Sequence, residues 1–389
     1  MNKKKLIVIS VLGVILIFSS LVLYKMFTQS TEITLSQTAT LPTPIDISEF
    51  LPGDYRAKAA ALDGKVIQET NKTLLPTAST AKIILSLAIM EKKPFSLGEE
   101  GERITISPES YEKYLWYISH NGSTTKVLIG EQISQYDAIA SVLMVSSNNM
   151  ADTLATWAFG SMDEYRSYAT EMLARLGATD TIIGTDASGY SETTISTASD
   201  LCIIATALLR NPVLREIVGQ KTYSVPVAGL LENTNKILGE PLGDSVAVSG
   251  VKTGYIGDIS GYNLVSAYEY DGHIIVLTLL GATSRASSFE GSKNELIRLF
   301  SELKSSVIVK SGENVGYYET WWNGRHDIVA EENLSAIILE DQENSITLSE
   351  QGLTVIVNGE EHHIKTTHDA FDNAPNIWQR FLHLFGWHA

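Results

Sequence analysis

Three short motifs, far apart in the chain, carry side chains that could perform covalent catalysis. The first is Ser79 with Lys82, an S-x-x-K pattern. Residues i and i+3 share one face of a helix, and a desolvated lysine near another cation can be neutral, so Lys82 could take the hydroxyl proton. A Ser-His-Asp triad is poorly supported, because only His120 and His273 fall within residues 47–304. The pattern indicates a serine nucleophile activated by lysine.

The second and third motifs supply groups that could move a proton and hold a substrate. Ser146 and Asn148 form an S-x-N pattern after the helical run 138–145. There the hydroxyl could relay a proton while the amide holds substrate or lysine. In Lys252-Thr253-Gly254 the lysine and the hydroxyl could bind a carboxylate, and the glycine lets a substrate approach a strand edge.

Each pattern is short, and sequence context separates it from its competitors. Pro76-Thr77-Ala78 leads into Ser79 and a long apolar helix follows, which predicts a hydroxyl at a buried helix N-terminus, with backbone N–H groups facing the reacting carbonyl. Alone, each motif has a plain structural interpretation as a helix cap or as a strand entering a turn. Their order favours a site. The competing matches are Ser123…Lys126 and Ser301…Lys304, which fit exposed positions better, Ser147…Asn149, Ser292…Asn294 and Lys310-Ser311-Gly312.

In this order the three motifs resemble those of the penicillin-binding proteins and serine β-lactamases. Further segments are similar to landmarks of the low-molecular-weight D-alanyl-D-alanine carboxypeptidases, and the resemblance spans nearly all of residues 47–304. These segments are Pro76 to Lys82, Met144 to Ala151, Ser196 to Leu201, Asn233-Thr234-Asn235 and Gly261-Tyr262-Asn263-Leu264.

The resemblance implies an acyl-enzyme mechanism on the stem peptides of peptidoglycan. Ser79 would attack the carbonyl between two terminal D-alanines after giving its proton to Lys82, and Ser146 would pass a proton toward the departing amine. The backbone N–H groups of Ser79 and Tyr255 would form the oxyanion hole. β-Lactams would acylate the same serine. The expected substrate-binding residues are Asn148, Lys252, Thr253 and Gly254.

Two positions depart from the family pattern. Ser147 stands where relatives usually have Gly, which looks tolerable. Ile256 stands where Thr or Ser is common, which leaves open a weaker carboxylate binding or a shifted substrate preference.

Three other functions remain as alternatives. A β-lactamase of class A would need a glutamate with a positioned water, and no Glu-x-x-Leu-Asn-like segment lies between Asn148 and Lys252. A DD-endopeptidase uses the same motifs. A wall-binding scaffold with a decayed site is disfavoured by the intact motifs.

Composition excludes several classes of protein. The 389 residues are 44% hydrophobic and 19% charged, the profile of a folded chain with two or three domains. With 29 Lys+Arg and 45 Asp+Glu the net charge is −16, which argues against a nucleic-acid partner. Cys202, the single cysteine, is predicted to be a buried small hydrophobe. No metal or other cofactor is expected, because the spacing of His362, His363 and His368 matches no recognised set.

The patterns beyond the motifs predict the organisation of the chain. Residues 47–304 alternate helix-like and strand-like segments and are predicted to form the catalytic domain. The resemblance implies an α/β fold of the DD-peptidase type, in which an antiparallel sheet is flanked by helices. Residues 305–371 predict a small β-rich domain, with Asn323-Gly324 and Asn358-Gly359 suited to two-residue hairpin turns. Residues 372–389 predict an amphipathic helix that contacts a membrane surface or covers its own β domain.

The N-terminal residues predict an extracytoplasmic enzyme on the cell membrane. Lys3, Lys4 and Lys5 precede the apolar residues 6–24, which as a helix would span about 29 Å, one hydrocarbon core. The excess of lysines before this run places the N-terminus in the cytoplasm. Residues 1–27 are therefore predicted to be an uncleaved anchor, with a cleaved signal peptide as the alternative. Residues 28–46, rich in Ser, Thr and Pro, predict a flexible linker.

Overall fold

The structure of the protein is a computed structural model. It describes residues 13–22, 24, 32–35, 40–47, 49–243, 246–320, 324–349 and 351–367. The amphipathic helix predicted at residues 372–389 lies outside these residues. So do residues 6–12 of the predicted membrane segment, Asn323 of the first predicted hairpin turn and His368.

The secondary structure alternates between helices and strands, as predicted for residues 47–304. Residues 13–22 are helical and are called α1. The other helices are α2 Ala81–Lys92, α3 Pro108–Ser119, α4 Gln135–Met144, α5 Asn148–Phe159, α6 Met162–Leu176, α7 Ala198–Arg210, α8 Pro212–Gly219 and α9 Arg285–Glu302. The strands are β1 Glu32–Leu35, β2 Ala57–Leu62, β3 Lys65–Glu69, β4 Leu75–Pro76, β5 Arg103–Thr105, β6 Gln132–Ser134, β7 Ile195–Ser196, β8 Thr222–Val225, β9 Gly229–Glu232, β10 Gly250–Gly254, β11 Tyr262–Tyr270, β12 His273–Ala282, β13 Ser306–Val309, β14 Asn314–Thr320, β15 Gly324–Val329, β16 Leu334–Ala336, β17 Ser345–Ser349, β18 Gly352–Val357 and β19 Glu360–Ile364.

An antiparallel sheet forms the base of the larger unit, Ile47–Glu302. Its five strands follow the order β10-β11-β12-β2-β3, so β10 is an edge strand. The apolar run from Ile274 to Ala282 in β12 is buried at every position, because α7 and α9 both pack against this strand. The predicted antiparallel sheet flanked by helices is confirmed.

Helix α2 lies in the middle of the helical part of the larger unit. It packs against α4, α5, α6 and α7, and its residues are buried from Ala81 to Met90 except for Leu87. A helix that is apolar on every side is stable only when other elements surround it. The first turn of α2, which carries Lys82, is therefore held on all sides.

The smaller unit consists of residues 1–46 and 303–389 and carries short antiparallel pairs with a core of their own. The pair β18–β19 is joined by Asn358 and Gly359, which have φ of 52° and 81°, as a type I′ turn requires. Strand β1 pairs with β14, which differs from the flexible linker predicted there. Backbone pairing at a sheet edge needs no apolar periodicity, so the Ser/Thr-rich composition gave no signal for it.

No helix among the described residues is long and apolar enough to cross a membrane.

A buried ion pair provides a test of the larger unit's stability. Lys58 Nζ lies 2.8 Å from Glu295 Oε2, with side-chain exposures of 2% and 0%. We expect Glu295→Gln to lower the free energy of unfolding by about 3–5 kcal/mol, because Lys58 keeps a buried charge without its counter-ion. Urea titration would measure this change.

The matched control for this substitution is Glu269→Gln. Glu269 pairs with Arg215 at 3.2 Å, and both side chains are more than one third exposed. We expect this change to stay within about 1 kcal/mol. Equal destabilisation by the two variants would contradict the importance of the buried pair.

Candidate active site

The Ser79 hydroxyl is carried by a tightly anchored turn. Ala78–Thr80 form a single 3₁₀ turn that runs directly into α2. Before it, the backbone N–H and the hydroxyl of Thr77 both donate to Thr194 O, at 2.9 and 3.0 Å. Ala78 has φ of 48°, a conformation that is rare outside glycine and that occurs mainly where surrounding contacts enforce it. Here Gly189 packs so closely that a β-carbon on it would overlap the Ala78 carbonyl.

Lys82 is held at the hydroxyl of Ser79. Its Nζ donates to Ser79 Oγ at 2.8 Å, Asn148 Oδ1 at 2.8 Å and the Ser188 carbonyl at 2.6 Å. Its side chain is fully buried. Burial lowers the pKa of Lys82 well below its usual value, and the nearby cation of Lys252 lowers it further. A neutral amine here can donate to Asn148 Oδ1 and the Ser188 carbonyl while its lone pair accepts from the Ser79 hydroxyl. Together with the lowered pKa, this arrangement suits a lysine that acts as the base for a serine.

Ser146 lies between α4 and α5, and Asn148 is the first residue of α5. Ser146 has φ of 65° and its side chain faces the cleft. Ser147 has an ordinary φ of −61° and caps α5 by accepting from Met150 N. Since the positive φ falls on Ser146 and not on Ser147, no glycine is required at position 147. Of the two S-x-N matches here, Asn148 contacts Lys82, whereas Asn149 bonds to the backbone of Thr125.

The edge strand β10 brings the third motif to the same cleft. Lys252 is 1% exposed, and burial lowers its pKa to about 7. The neighbouring Thr253 hydroxyl lies 2.8 Å from the Thr234 hydroxyl. Both threonines line the cleft, and two adjacent hydroxyls can donate to a carboxylate. Lys252 itself is not among the described lining residues, and its Nζ donates to the Thr253 carbonyl at 3.1 Å.

Gly254 allows β10 to approach the backbone of Thr77 and Ser79 closely. A β-carbon on Gly254 would lie 2.9 Å from Thr77 O and 3.1 Å from Ser79 N. Asn263 on β11 fixes the same approach, because its Nδ2 donates to Pro76 O and Thr77 O at 2.9 and 3.1 Å. The peptide groups of Ser79 and Tyr255, the predicted oxyanion hole, are thereby brought to one wall of the cleft.

The cleft itself is an open cavity of about 390 Å³. Ser79, Ser146 and Thr253 line it together, so the three motifs converge. Its rim carries further polar and charged side chains, which sequence reasoning did not single out as site residues: Asn121, Glu232, Lys236, Arg285 and Ser288.

The structure adds contributors that the motifs did not indicate. The Ser188 carbonyl bonds to Lys82, and Asp186 shapes that loop by accepting from Ser188 N, Tyr190 N and Ser191 N at 2.9–3.0 Å. Burial alone would raise the pKa of Asp186, but hydrogen bonds from Ser188 and Ser191 leave it lowered. The sequence from Asp186 to Ser191 predicts a turn that is stabilised by its own side chains. Nothing in this sequence indicates that the Ser188 carbonyl contacts Lys82.

The competing motif matches lie elsewhere. Ser123 is exposed at the rim of the cleft, whereas Ser292 is buried against Ser266. Ser301 is exposed and bonds to its own helix. Ile256 is partly exposed, is not among the described lining residues, and its N–H donates to Ser260 Oγ at 2.9 Å. Within the described part of the chain, no group of three or more His, Cys, Asp or Glu side chains could hold a metal ion.

Comparison with known proteins gives matches over the larger unit. The profile of the family described as D-alanyl-D-alanine carboxypeptidase matches residues 54–284. D-alanyl-D-alanine carboxypeptidase DacA of Escherichia coli is 28% identical over 260 residues, which cover 64% of this chain and 60% of the relative. The chain thus spans about 60% of the length of that relative. DacF of Bacillus subtilis is 24% identical over 273 residues, covering 67% of this chain and 66% of DacF.

Solved structures show the same fold. The D-alanyl-D-alanine carboxypeptidase DacD of Francisella tularensis superposes with a TM-score of 0.61 at 17% identity, covering 85% of this chain and 96% of that one. A D-alanyl-D-alanine carboxypeptidase from Mycobacterium tuberculosis superposes with a TM-score of 0.55 at 22% identity, covering 67% of this chain and 96% of that one.

Proposed function

The chain belongs to the D-alanyl-D-alanine carboxypeptidase family, and from this membership we propose that it removes the terminal D-alanine of peptidoglycan stem peptides through an acyl-enzyme on Ser79. The observation that carries the proposal is the hydrogen-bonded set of Ser79, Lys82 and Asn148 in the cleft that Thr253 also lines. β-Lactams, which present a reactive amide and a carboxylate, are proposed to acylate the same serine.

Acylation follows from the geometry of Lys82. Neutral Lys82 accepts the proton of Ser79 Oγ, 2.8 Å away, as the oxygen attacks the peptide carbonyl. The N–H groups of Ser79 and Tyr255 stabilise the oxyanion, each contributing about 3–4 kcal/mol to lowering the barrier. Ser146, on the cleft wall, passes a proton to the departing D-alanine amine. Lys252 and Thr253 hold the terminal carboxylate.

Hydrolysis of the ester uses the same lysine. After its proton has gone to the leaving amine, Lys82 is again neutral and lies beside the ester oxygen of Ser79. It can therefore accept a proton from a water that attacks the ester carbonyl. As the ester bond breaks, Lys82 returns this proton to Ser79 Oγ, which restores the serine and frees the shortened peptide.

The experiment that tests the proposal is D-alanine release from a diacyl-L-Lys-D-Ala-D-Ala peptide. We expect release from this peptide but none from the same peptide with an amidated C-terminus, because Lys252 and Thr253 need a carboxylate. No release from the free acid by folded protein would contradict the proposal. Cleavage of cross-linked muropeptides in preference to this peptide would assign endopeptidase activity instead.

We also propose that the enzyme acts on the extracytoplasmic face of the cell membrane, anchored by residues 6–24. The lysines before this apolar run support the orientation. Membrane fractionation with external protease digestion tests the proposal, and a protease-protected larger unit in intact spheroplasts would contradict it.

The charge of Lys252 gives a prediction about pH dependence. Since this cation lowers the pKa of Lys82, removing it in Lys252→Gln lets that pKa rise. We expect the ascending limb of kcat/KM against pH to move to higher pH by about one unit. Lys252→Arg carries a cation at every pH of the titration and is therefore not expected to move the limb to higher pH. An unchanged limb in Lys252→Gln would contradict the coupling.

A further inference from the structure

A polar network outside the three motifs connects the surface of α3 with the interior of the site. Asp152 on α5 is 4% exposed. Its Oδ2 accepts from Lys113 Nζ at 2.9 Å and from the Tyr117 hydroxyl at 3.0 Å, both donors lying on α3. Lys113 is half exposed, so the network begins at solvent.

Two routes lead from Asp152 to Lys82. The ring of Tyr117 lies 5.3 Å from the ring of Tyr190, whose N–H donates to Asp186 Oδ1 in the turn that also carries Ser188. The Ser188 carbonyl accepts from Lys82 Nζ at 2.6 Å. Asp152 also follows Asn148 by four residues, hence on the same face of α5, and Asn148 Oδ1 accepts from Lys82 at 2.8 Å. Both routes end at the amine that bonds to the nucleophile.

A purely structural role explains Asp152 poorly. Its Oδ1 is fully buried and accepts no hydrogen bond from any described residue. Only one of its two oxygens is therefore compensated, and an uncompensated buried acceptor costs free energy. Burial raises the pKa of Asp152, and the charge of Lys113 opposes that rise.

We propose that Asp152, paired with Lys113, is a positioning residue that aligns Lys82 through Tyr117 and the turn that carries Ser188, and that it supplies a counter-charge to the Lys82 amine. The inference rests on the proposed function, since it assigns Lys82 the role of base.

The direction of the effect follows from the groups that face each charge. Lys82 is faced by Lys252 from β10, by Asp186 from the loop after α6, and by Asp152 from α5. Burial and Lys252 lower the pKa of Lys82, whereas both carboxylates raise it. Asp152 is faced by Lys113 and Tyr117 from α3 and by Asp186. Removing the charge of Asp152 therefore lets the pKa of Lys82 fall.

The test is the second-order rate of acylation by a fluorescent penicillin between pH 5 and pH 10, measured on the full chain. We expect Asp152→Asn to move the ascending limb to lower pH by about one unit. Lys113→Gln is expected to move it the same way, because loss of this cation raises the pKa of Asp152. The control is Lys126→Gln, which removes an exposed lysine from the nearby loop. We expect its ascending limb to lie at the same pH as in the wild type.

The outcomes separate the inference from the proposed function. Absence of acylation in wild type would overturn both. If the ascending limb of the acylation rate stays at its wild-type pH in both Asp152→Asn and Lys113→Gln, the inference about Asp152 is wrong and the proposed function still stands. A lower rate or a lower Tm without displacement of the limb would overturn the inference in the same way, because a residue that only supports the fold does not change a proton equilibrium. Since Lys113 is half exposed, Lys113→Gln decides the matter even if Asp152→Asn does not fold.

Discussion

Ser79→Ala is expected to reduce D-alanine release by at least about 10⁴-fold, because the variant has no oxygen to form the acyl-enzyme. Covalent labelling by a fluorescent penicillin should disappear in the same protein. The loss should not come from unfolding, since Ser79 Oγ bonds only to Lys82 among the described residues and the turn is anchored through Thr77 and Asn263. Substrate release assays and gel labelling measure the two effects.

The matched control is Ser301→Ala. Ser301 also heads an S-x-x-K pattern, but it is exposed and bonds to the carbonyl of Arg298 in its own helix. We expect wild-type release and labelling from this variant. Residual labelling of Ser79→Ala at the wild-type level would show that another residue is the nucleophile.

Lys82→Gln is the second substitution with a large expected effect, a loss of about 10²–10⁴-fold in acylation. Glutamine can still donate to Asn148 Oδ1 or the Ser188 carbonyl, so the packing around the site is largely kept. It has no basic group for the proton of Ser79. Stopped-flow acylation by penicillin measures the rate, and circular dichroism checks that the fold is retained.

Lys82→Arg distinguishes a base from a mere cation. A guanidinium keeps its charge and its donors but is not deprotonated in proteins. We therefore expect no recovery relative to Lys82→Gln. Near wild-type acylation in Lys82→Arg would mean that the positive charge, and not proton transfer, is what Ser79 requires.

The sequence was informative where side chains carry the chemistry. Ser79, Lys82, Asn148 and Thr253 were identified by type, spacing and order, and the structure brings them to one cleft. The antiparallel sheet with flanking helices was likewise predictable, because the family resemblance extended over the larger unit. The predicted roles of these residues remain for the experiments above.

Other parts of the site had no sequence signal. The Ser188 carbonyl is a backbone group, and every residue has one. The positive φ of Ala78 and Ser146 arises from packing by Gly189 and from the turn between α4 and α5, neither of which local sequence encodes. Asp152 reads as an ordinary polar residue of an amphipathic helix until the fold buries it beside Tyr117. Strand β1 was missed because its stabilising contacts come from a segment about 280 residues later.

The edge position of β10 has a consequence for self-association. An uncovered sheet edge pairs readily with a strand from another molecule, a common route to aggregation. Here that edge is only five residues long and includes the buried amine of Lys252. Four of these five residues are buried, so little of the strand is accessible to a strand from another molecule. The shortness and burial of β10 therefore disfavour self-association through this edge.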